Sequence, residues 1–162
     1  MGFVCSVCGE FHDERMLDIR LGLPDAIHAL TDEEREKRAW LSDDFAVLDD
    51  EHFYVRGLLD IPIPELEARF GYGIWAEVTQ EEFLQLMGRW NDPVQPEPLE
   101  AVLANELSPY AGTAGLRVLF RPVSADRLPA VTLLDADHEL VADQQRGISA
   151  TRSDELAATV LH

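Results

Sequence analysis

The sequence has 162 residues, 46% of them hydrophobic, and its 13 basic and 31 acidic residues give a formal net charge of −18. This length and apolar content predict one domain, residues 1–162, with a core of its own. A surface this negative repels phosphate groups, which argues against nucleic acid and anionic membranes as partners. Because no apolar run could span a bilayer and no secretion signal is recognisable, we expect a cytoplasmic protein.

The first half of the chain predicts three helices and three strands. Thr31 and Glu34 form the Thr-x-x-Glu pattern of a capping box, and Thr79 and Glu82 repeat it. The prolines of Ile-Pro-Ile-Pro, residues 61–64, lack a ladder donor and indicate a sheet edge or a crossing. The predicted elements are helices over 24–30, 32–40 and 80–90 and strands over 45–48, 52–58 and 73–79.

The second half begins with a proline-rich segment, residues 91–98, which we interpret as a connector within the single domain. A short helix is predicted over 99–105, and a loop of small residues over 108–115. Strands over 116–121 and 130–134 follow, and then helices over 138–146 and 153–161 that are separated by Gly147. Neighbouring strands with helices at the ends predict an α+β fold, a mostly antiparallel sheet with helices packed on it.

Cys5 and Cys8 carry the strongest chemical signal in the sequence. Two thiolates in a Cys-x-x-Cys turn converge on one tetrahedral ion, and His12 supplies a third ligand. We therefore predict a structural zinc knuckle within residues 1–15, with a fourth ligand from His28, His52, His138, a carboxylate or water. The alternatives are a turn without metal and a redox pair of cysteines.

Arg56 and Trp75 are the candidates for contact with an anion or a partner. Arg56 is a cation within a predicted strand, where it meets either a carboxylate of the same chain or an anionic ligand. Trp75 belongs to the core or to an aromatic ligand site. His138 caps a helix or binds metal. No hydrolase elbow, metal-hydrolase helix or phosphate loop occurs, so we predict no catalytic residues.

These segments together resemble a bacterial family of uncharacterised proteins, domain of unknown function 2199. The resemblance rests on FVCSVCG (3–9) with His12, LSDD (41–44), HFYVRG (52–57) with IPI (61–63), GIWAEVT (73–79) with Phe83, PYAGT (109–113), DHEL (137–140) and QQRGI (144–148). Members often carry a cysteine in the first hairpin strand, where this chain has Phe45. The resemblance supports a single domain and implies no activity.

Three functions remain open from the sequence. The first is a non-enzymatic module that binds or regulates a protein partner and uses the zinc knuckle as a structural element. The second is an inhibitor or immunity-type protein whose negative charge captures a basic partner. The third is a small metal-dependent hydrolase, in which Cys5, Cys8 and a histidine hold a metal that also binds water.

Overall fold

The computed structural model describes residues 3–4, 11–12, 17–124, 126–135 and 137–161. The strands are β1 Phe3–Val4, β2 Phe11–His12, β3 Asp18–Arg20, β4 Ala39–Leu41, β5 Phe45–Leu48, β6 His52–Ile63, β7 Ala68–Val78, β8 Leu99–Leu103, β9 Arg117–Arg121 and β10 Ala130–Leu133. The helices are α1 Asp25–His28, α2 Asp32–Arg38, α3 Gln80–Gly88, α4 Glu139–Arg146 and α5 Ala150–Leu161, and a 3-10 turn covers Pro64–Leu66. No helix in these ranges is long and apolar enough to cross a membrane.

One eight-stranded sheet, in the order β3-β7-β8-β9-β10-β6-β5-β4, contains every strand from β3 onward. Because β6 also pairs with β7, the five strands from β6 to β10 close into a barrel. The pairs β3–β7 and β10–β6 are parallel. The predicted α+β class is confirmed. Most strand pairs are antiparallel as predicted, but the sheet also contains these two parallel pairs and is closed. Closure was not predicted, because it depends on long-range pairing that no local pattern encodes.

The segment predicted as a helix over 99–105 is instead strand β8. Ala101 and Leu103 are buried in it, whereas Glu100 and Val102 are exposed. This alternation has the period of two that a strand requires. The helical prediction was wrong, because a run as short as Leu-Glu-Ala-Val-Leu (99–103) is compatible with both a strand and a short helix.

The segment 61–63 ends β6, a strand inside the sheet, but here β6 pairs only with β7, so the predicted edge is a local one. Pro62 lies within β6 opposite Arg69 of β7. Its carbonyl oxygen accepts a hydrogen bond from the backbone N–H of Ile148, 2.8 Å away, and so points away from β7. The nitrogen of Pro62 points to the same side, where a ladder donor is not needed.

The sheet separates two apolar clusters. Alternate residues of β7, including Phe70, Tyr72 and Ile74, point into the main core inside the barrel. The opposite face carries a smaller cluster, the outer core, which is covered by α1. The outer core consists of Ile27, Ala46, Leu48, Tyr54 and Trp75.

Candidate functional site

A cavity of about 340 Å³ opens on the outer face of the sheet, where β3, β7 and β6 lie side by side. We call it the arginine cavity. Its charged lining residues are Asp18, Arg20, Asp44 and Arg56, its apolar ones are Ile19, Leu58 and Leu128, and Gly71 and Gly73 complete it. This volume is within the range of small-molecule sites.

Arg56 is the buried cation of the arginine cavity, with only 3% of its surface exposed. Its Nε donates a hydrogen bond to the Asp43 carbonyl oxygen at 3.1 Å, and its Nη1 donates to the Gly73 carbonyl oxygen at 3.4 Å. A guanidinium has five N–H donors, so these bonds leave several for a ligand. No carboxylate in the described part of the chain forms a salt bridge with Arg56.

Trp75 holds Arg56 in place from the side of the outer core. The two residues are opposite each other in the β6–β7 pairing, and the Arg56 guanidinium carbon lies 4.5 Å from the Trp75 ring centroid. The indole Nε1 of Trp75 donates to the Leu21 carbonyl oxygen at 3.0 Å, which fixes the ring. Trp75 is buried, so its ring is held by the outer core on one side, and the cation–π interaction orients the Arg56 guanidinium.

The two glycines of β7 leave room for the arginine cavity. A Cβ atom on Gly73 would lie 3.4 Å from Arg56 Nη1, and a Cβ atom on Gly71 would lie 3.4 Å from Asp18 Oδ1 and 3.1 Å from Leu58 Cδ1. Larger side chains at these positions would occupy the space between the charged groups. Because both glycines lack a side chain, the cavity extends to the backbone of β7.

Charged groups of both signs lie near the Arg56 guanidinium. Burial lowers the pKa of Arg56, and the nearby charge of Arg20 lowers this pKa further, while Asp44 and Asp43 act in the opposite direction. Arg20 is exposed and lies next to Gly73 in the β3–β7 pairing. The arrangement presents guanidinium donors from two strands to the same small space. Its chemistry suits a carboxylate, which accepts charge-assisted hydrogen bonds from arginine.

The histidines proposed as the fourth zinc ligand lie in different elements. His138 caps α4: its Nδ1 accepts a hydrogen bond from the Leu140 N–H at 3.0 Å, and its Nε2 is 2.7 Å from the Ala111 carbonyl oxygen. His52 Nδ1 is 2.9 Å from Glu77 Oε2, and His28 ends α1. Among the described residues, no group of three or more metal-ligating side chains comes together.

Cys5 and Cys8 lie outside the described residues, and the zinc knuckle stays a prediction. The backbone pairing on either side of them is described: Phe3 of β1 lies opposite His12 of β2, and Val4 lies opposite Phe11. Residues 5–10 therefore connect two antiparallel strands.

Arg56 and Trp75 were predicted from the sequence as contact residues, but Asp18, Arg20 and the glycine pair were not. A period-two signal was present, because Gly71, Gly73 and Trp75 alternate with core residues along β7. Asp18 and Arg20 likewise flank the buried Ile19. The three residues of β3 form too short a pattern to predict a strand, and their parallel partner is 53 positions away in the chain.

The fold and the cavity define an α+β protein whose closed mixed sheet carries a small charged site on its outer face. The family model described as "Uncharacterized protein conserved in bacteria (DUF2199)" matches residues 4–148, and the chain belongs to this family. The resemblance inferred from the sequence motifs is thereby confirmed. Comparison with curated proteins and with solved structures gave no match.

Proposed function

We propose that this protein is a non-enzymatic binding module whose arginine cavity takes a carboxylate-bearing ligand. The observation that carries the proposal is Arg56, a buried guanidinium without a carboxylate partner in the described chain. An unpaired buried cation is costly to the free protein. The carboxylates of Asp43 and Asp44 act on Arg56 only through their charge, and a ligand carboxylate would accept the N–H groups that remain without an acceptor.

The lining of the cavity favours binding over covalent chemistry. Its described side chains offer guanidinium and carboxylate groups and apolar surface, but no hydroxyl, thiol, imidazole or amine. Those four groups are nucleophiles of covalent catalysis, and carboxylates such as Asp18 and Asp44 form covalent intermediates only in particular enzyme classes. The apolar side chains of Leu58 and Leu128 provide surface for a hydrocarbon part of the ligand.

The zinc knuckle at Cys5, Cys8 and His12 belongs to the same proposal as a structural element. It is supported by the antiparallel pairing of β1 and β2, which brings the strands flanking both cysteines together. A regulatory role would follow if ligand binding in the cavity alters contact with a protein partner. Capture of a basic partner and metal-dependent hydrolysis stay alternative predictions from the sequence.

Calorimetric titration with 4-methylpentanoate, a carboxylate with a branched apolar tail, tests the proposal. We expect saturable binding to the wild-type chain and about tenfold weaker binding to Arg20→Gln, because one charge-assisted hydrogen-bonding partner is lost. Arg69→Gln is the matched control: Arg69 is also an exposed arginine, but it pairs with Asp60 and does not line the cavity. The proposal fails if the probe does not bind, or if both variants weaken binding equally.

Arg56→Met separates a ligand-binding arginine from a structural one. Methionine removes the buried charge and keeps much of the apolar stem, so we expect lost binding together with an unchanged or higher urea midpoint. The loss of two bonds to carbonyl groups works against this gain. A substantially lower midpoint would show that Arg56 is there for the fold and would contradict the proposal.

A further inference from the structure

We infer that the ligand of the arginine cavity is a zwitterion, an α-amino acid with an apolar side chain. The inference rests on the proposed carboxylate site and adds a second charged group to its ligand. The observation behind it is that the cavity is lined by charges of both signs, two arginines and two aspartates, so that their formal charges sum to zero. A site for a simple anion would not need the aspartates.

The charges are placed in order along the strands. Asp18 lies beside Gly71 and Arg20 lies beside Gly73 in the parallel β3–β7 pairing. Asp18 Oδ1 is 3.4 Å from the Cβ position of Gly71, and Arg56 Nη1 is 3.4 Å from that of Gly73. Gly71 therefore lies beside Asp18 at one end of the cavity floor, and Gly73 lies beside Arg20 and Arg56 at the other end, where the charge of Asp44 also acts on Arg56.

The spacing of Gly71 and Gly73 limits a ligand that reaches both ends to a compact one. Positions two residues apart on one face of a strand are about 7 Å from each other. A ligand that makes charge-assisted hydrogen bonds at both ends must therefore carry its ammonium and its carboxylate close together, as they are on one carbon. An α-amino acid has this arrangement of charged groups.

The apolar lining accounts for the rest of the ligand. Leu58 lies opposite Gly73 on β6, and its Cδ1 is 3.1 Å from the Cβ position of Gly71. Leu128, in the connection between β9 and β10, supplies a second apolar surface. A hydrocarbon side chain of the ligand would contact both leucines, and a strongly polar side chain would gain nothing there.

Calorimetry with three probes of similar shape tests the inference: L-leucine, 4-methylpentanoate and 3-methylbutylamine. The second probe lacks the ammonium group and the third lacks the carboxylate. We expect L-leucine to bind at least about tenfold more tightly than either analogue, since each analogue leaves one charged end of the cavity without a partner.

Asp18→Asn assigns the ammonium contact. Asp18 is exposed, so the substitution does not disturb the core, and we expect L-leucine to lose its advantage while the affinity for 4-methylpentanoate stays the same or increases. Asp60→Asn is the matched control, because Asp60 flanks Gly71 on the other side but pairs with Arg69. We expect this control to retain the preference for L-leucine.

The outcomes separate the inference from the function on which it rests. If 4-methylpentanoate binds as tightly as L-leucine, the assignment of a zwitterionic ligand is wrong, but the proposed carboxylate site is supported. Strongest binding of 3-methylbutylamine, or an unchanged preference in Asp18→Asn, also overturns the zwitterion assignment. If none of the three probes binds, both the inference and the proposed function fail.

Discussion

At the scale of single residues, glycines on opposite faces of the sheet have opposite consequences. Gly71 and Gly73 point outward, where their missing side chains leave the arginine cavity open. Gly57 points inward, where side chains of the main core take the space that a Cβ would fill. A Cβ there would lie 2.6 Å from Val131 Cγ2 and 2.9 Å from Phe120 Cε2. The absence of a side chain thus serves ligand access at one face and close packing at the other.

Gly57→Ala should destabilise the protein. The added methyl group meets two side chains of a filled core, and overpacking of this kind costs about 1–3 kcal/mol. Gly88→Ala is the control, because nothing lies within 4 Å of its Cβ position at the end of α3, and alanine favours the helix. Urea unfolding should give a clearly lower midpoint for Gly57→Ala alone. Equal midpoints for the two variants would contradict the packing argument.

His52 and Glu77 should give the stability a weak dependence on pH. The hydrogen bond to Glu77 raises the pKa of His52 above 6.5, with smaller contributions from the charges of Glu51 and Asp49 and an opposing one from burial. A raised folded pKa stabilises the native state below the unfolded value, and this contribution disappears as the pH rises through the folded pKa. Since both side chains are partly exposed, the effect stays below about 1 kcal/mol.

NMR titration of the His52 ring measures this pKa directly. We expect a value above 6.5 in the wild-type chain and a lower one in Glu77→Gln, whose unfolding free energy should also change less between about pH 6 and about pH 8. If the His52 pKa is the same in both proteins, Glu77 is not the cause of the shift.

At the scale of elements, the two capping boxes are chemically alike but support different helices. Thr31 with Glu34 and Thr79 with Glu82 each form both reciprocal hydrogen bonds. Helix α2 buries no residue, whereas α3 buries Phe83 and Leu86. The contribution of a cap to global stability therefore depends on what the helix covers.

Thr79→Ala should lower the unfolding free energy by about 1 kcal/mol, the usual contribution of an N-cap. Thr31→Ala should lower it less, because α2 can fray without exposing a buried side chain. Urea unfolding measures the global effect, and hydrogen exchange of the α2 amides should show faster local opening in Thr31→Ala. Equal global losses in the two variants would show that α2 is part of the cooperative unit.

Local chemistry explains which elements could be predicted from the sequence. The boxes at Thr31 and Thr79 specify helix starts through bonds within four residues, and both predictions are confirmed. The β5–β6 hairpin follows from an acidic turn between two apolar runs. Strand β3 could not be predicted, because it is three residues long and depends on its pairing with β7.

At the scale of the whole molecule, the candidate site is a product of topology. Arg56 and Trp75 were visible in the sequence as unusual residues, but their contact requires the antiparallel register of β6 and β7. Asp18 and Arg20 reach the same cavity only because β3 pairs in parallel with the far edge of β7. No local pattern contains these distances, so the sequence could indicate an anion contact at Arg56 but not the mixed charge of its surroundings.

The charge of the whole chain leads to a final prediction about salt. With 31 acidic and 13 basic residues, the protein repels an anion that approaches the cavity and exerts little net force on a zwitterion. An increase from about 0.01 M to about 0.1 M salt shortens the Debye length from about 30 Å to about 10 Å and screens distant acidic groups more than contacts within the cavity. Binding of 4-methylpentanoate should therefore become severalfold tighter, while L-leucine affinity changes less than about twofold. Calorimetry at the two salt concentrations measures both, and weaker binding of 4-methylpentanoate at the higher concentration would mean that attraction by the cavity arginines, rather than the field of the whole molecule, dominates.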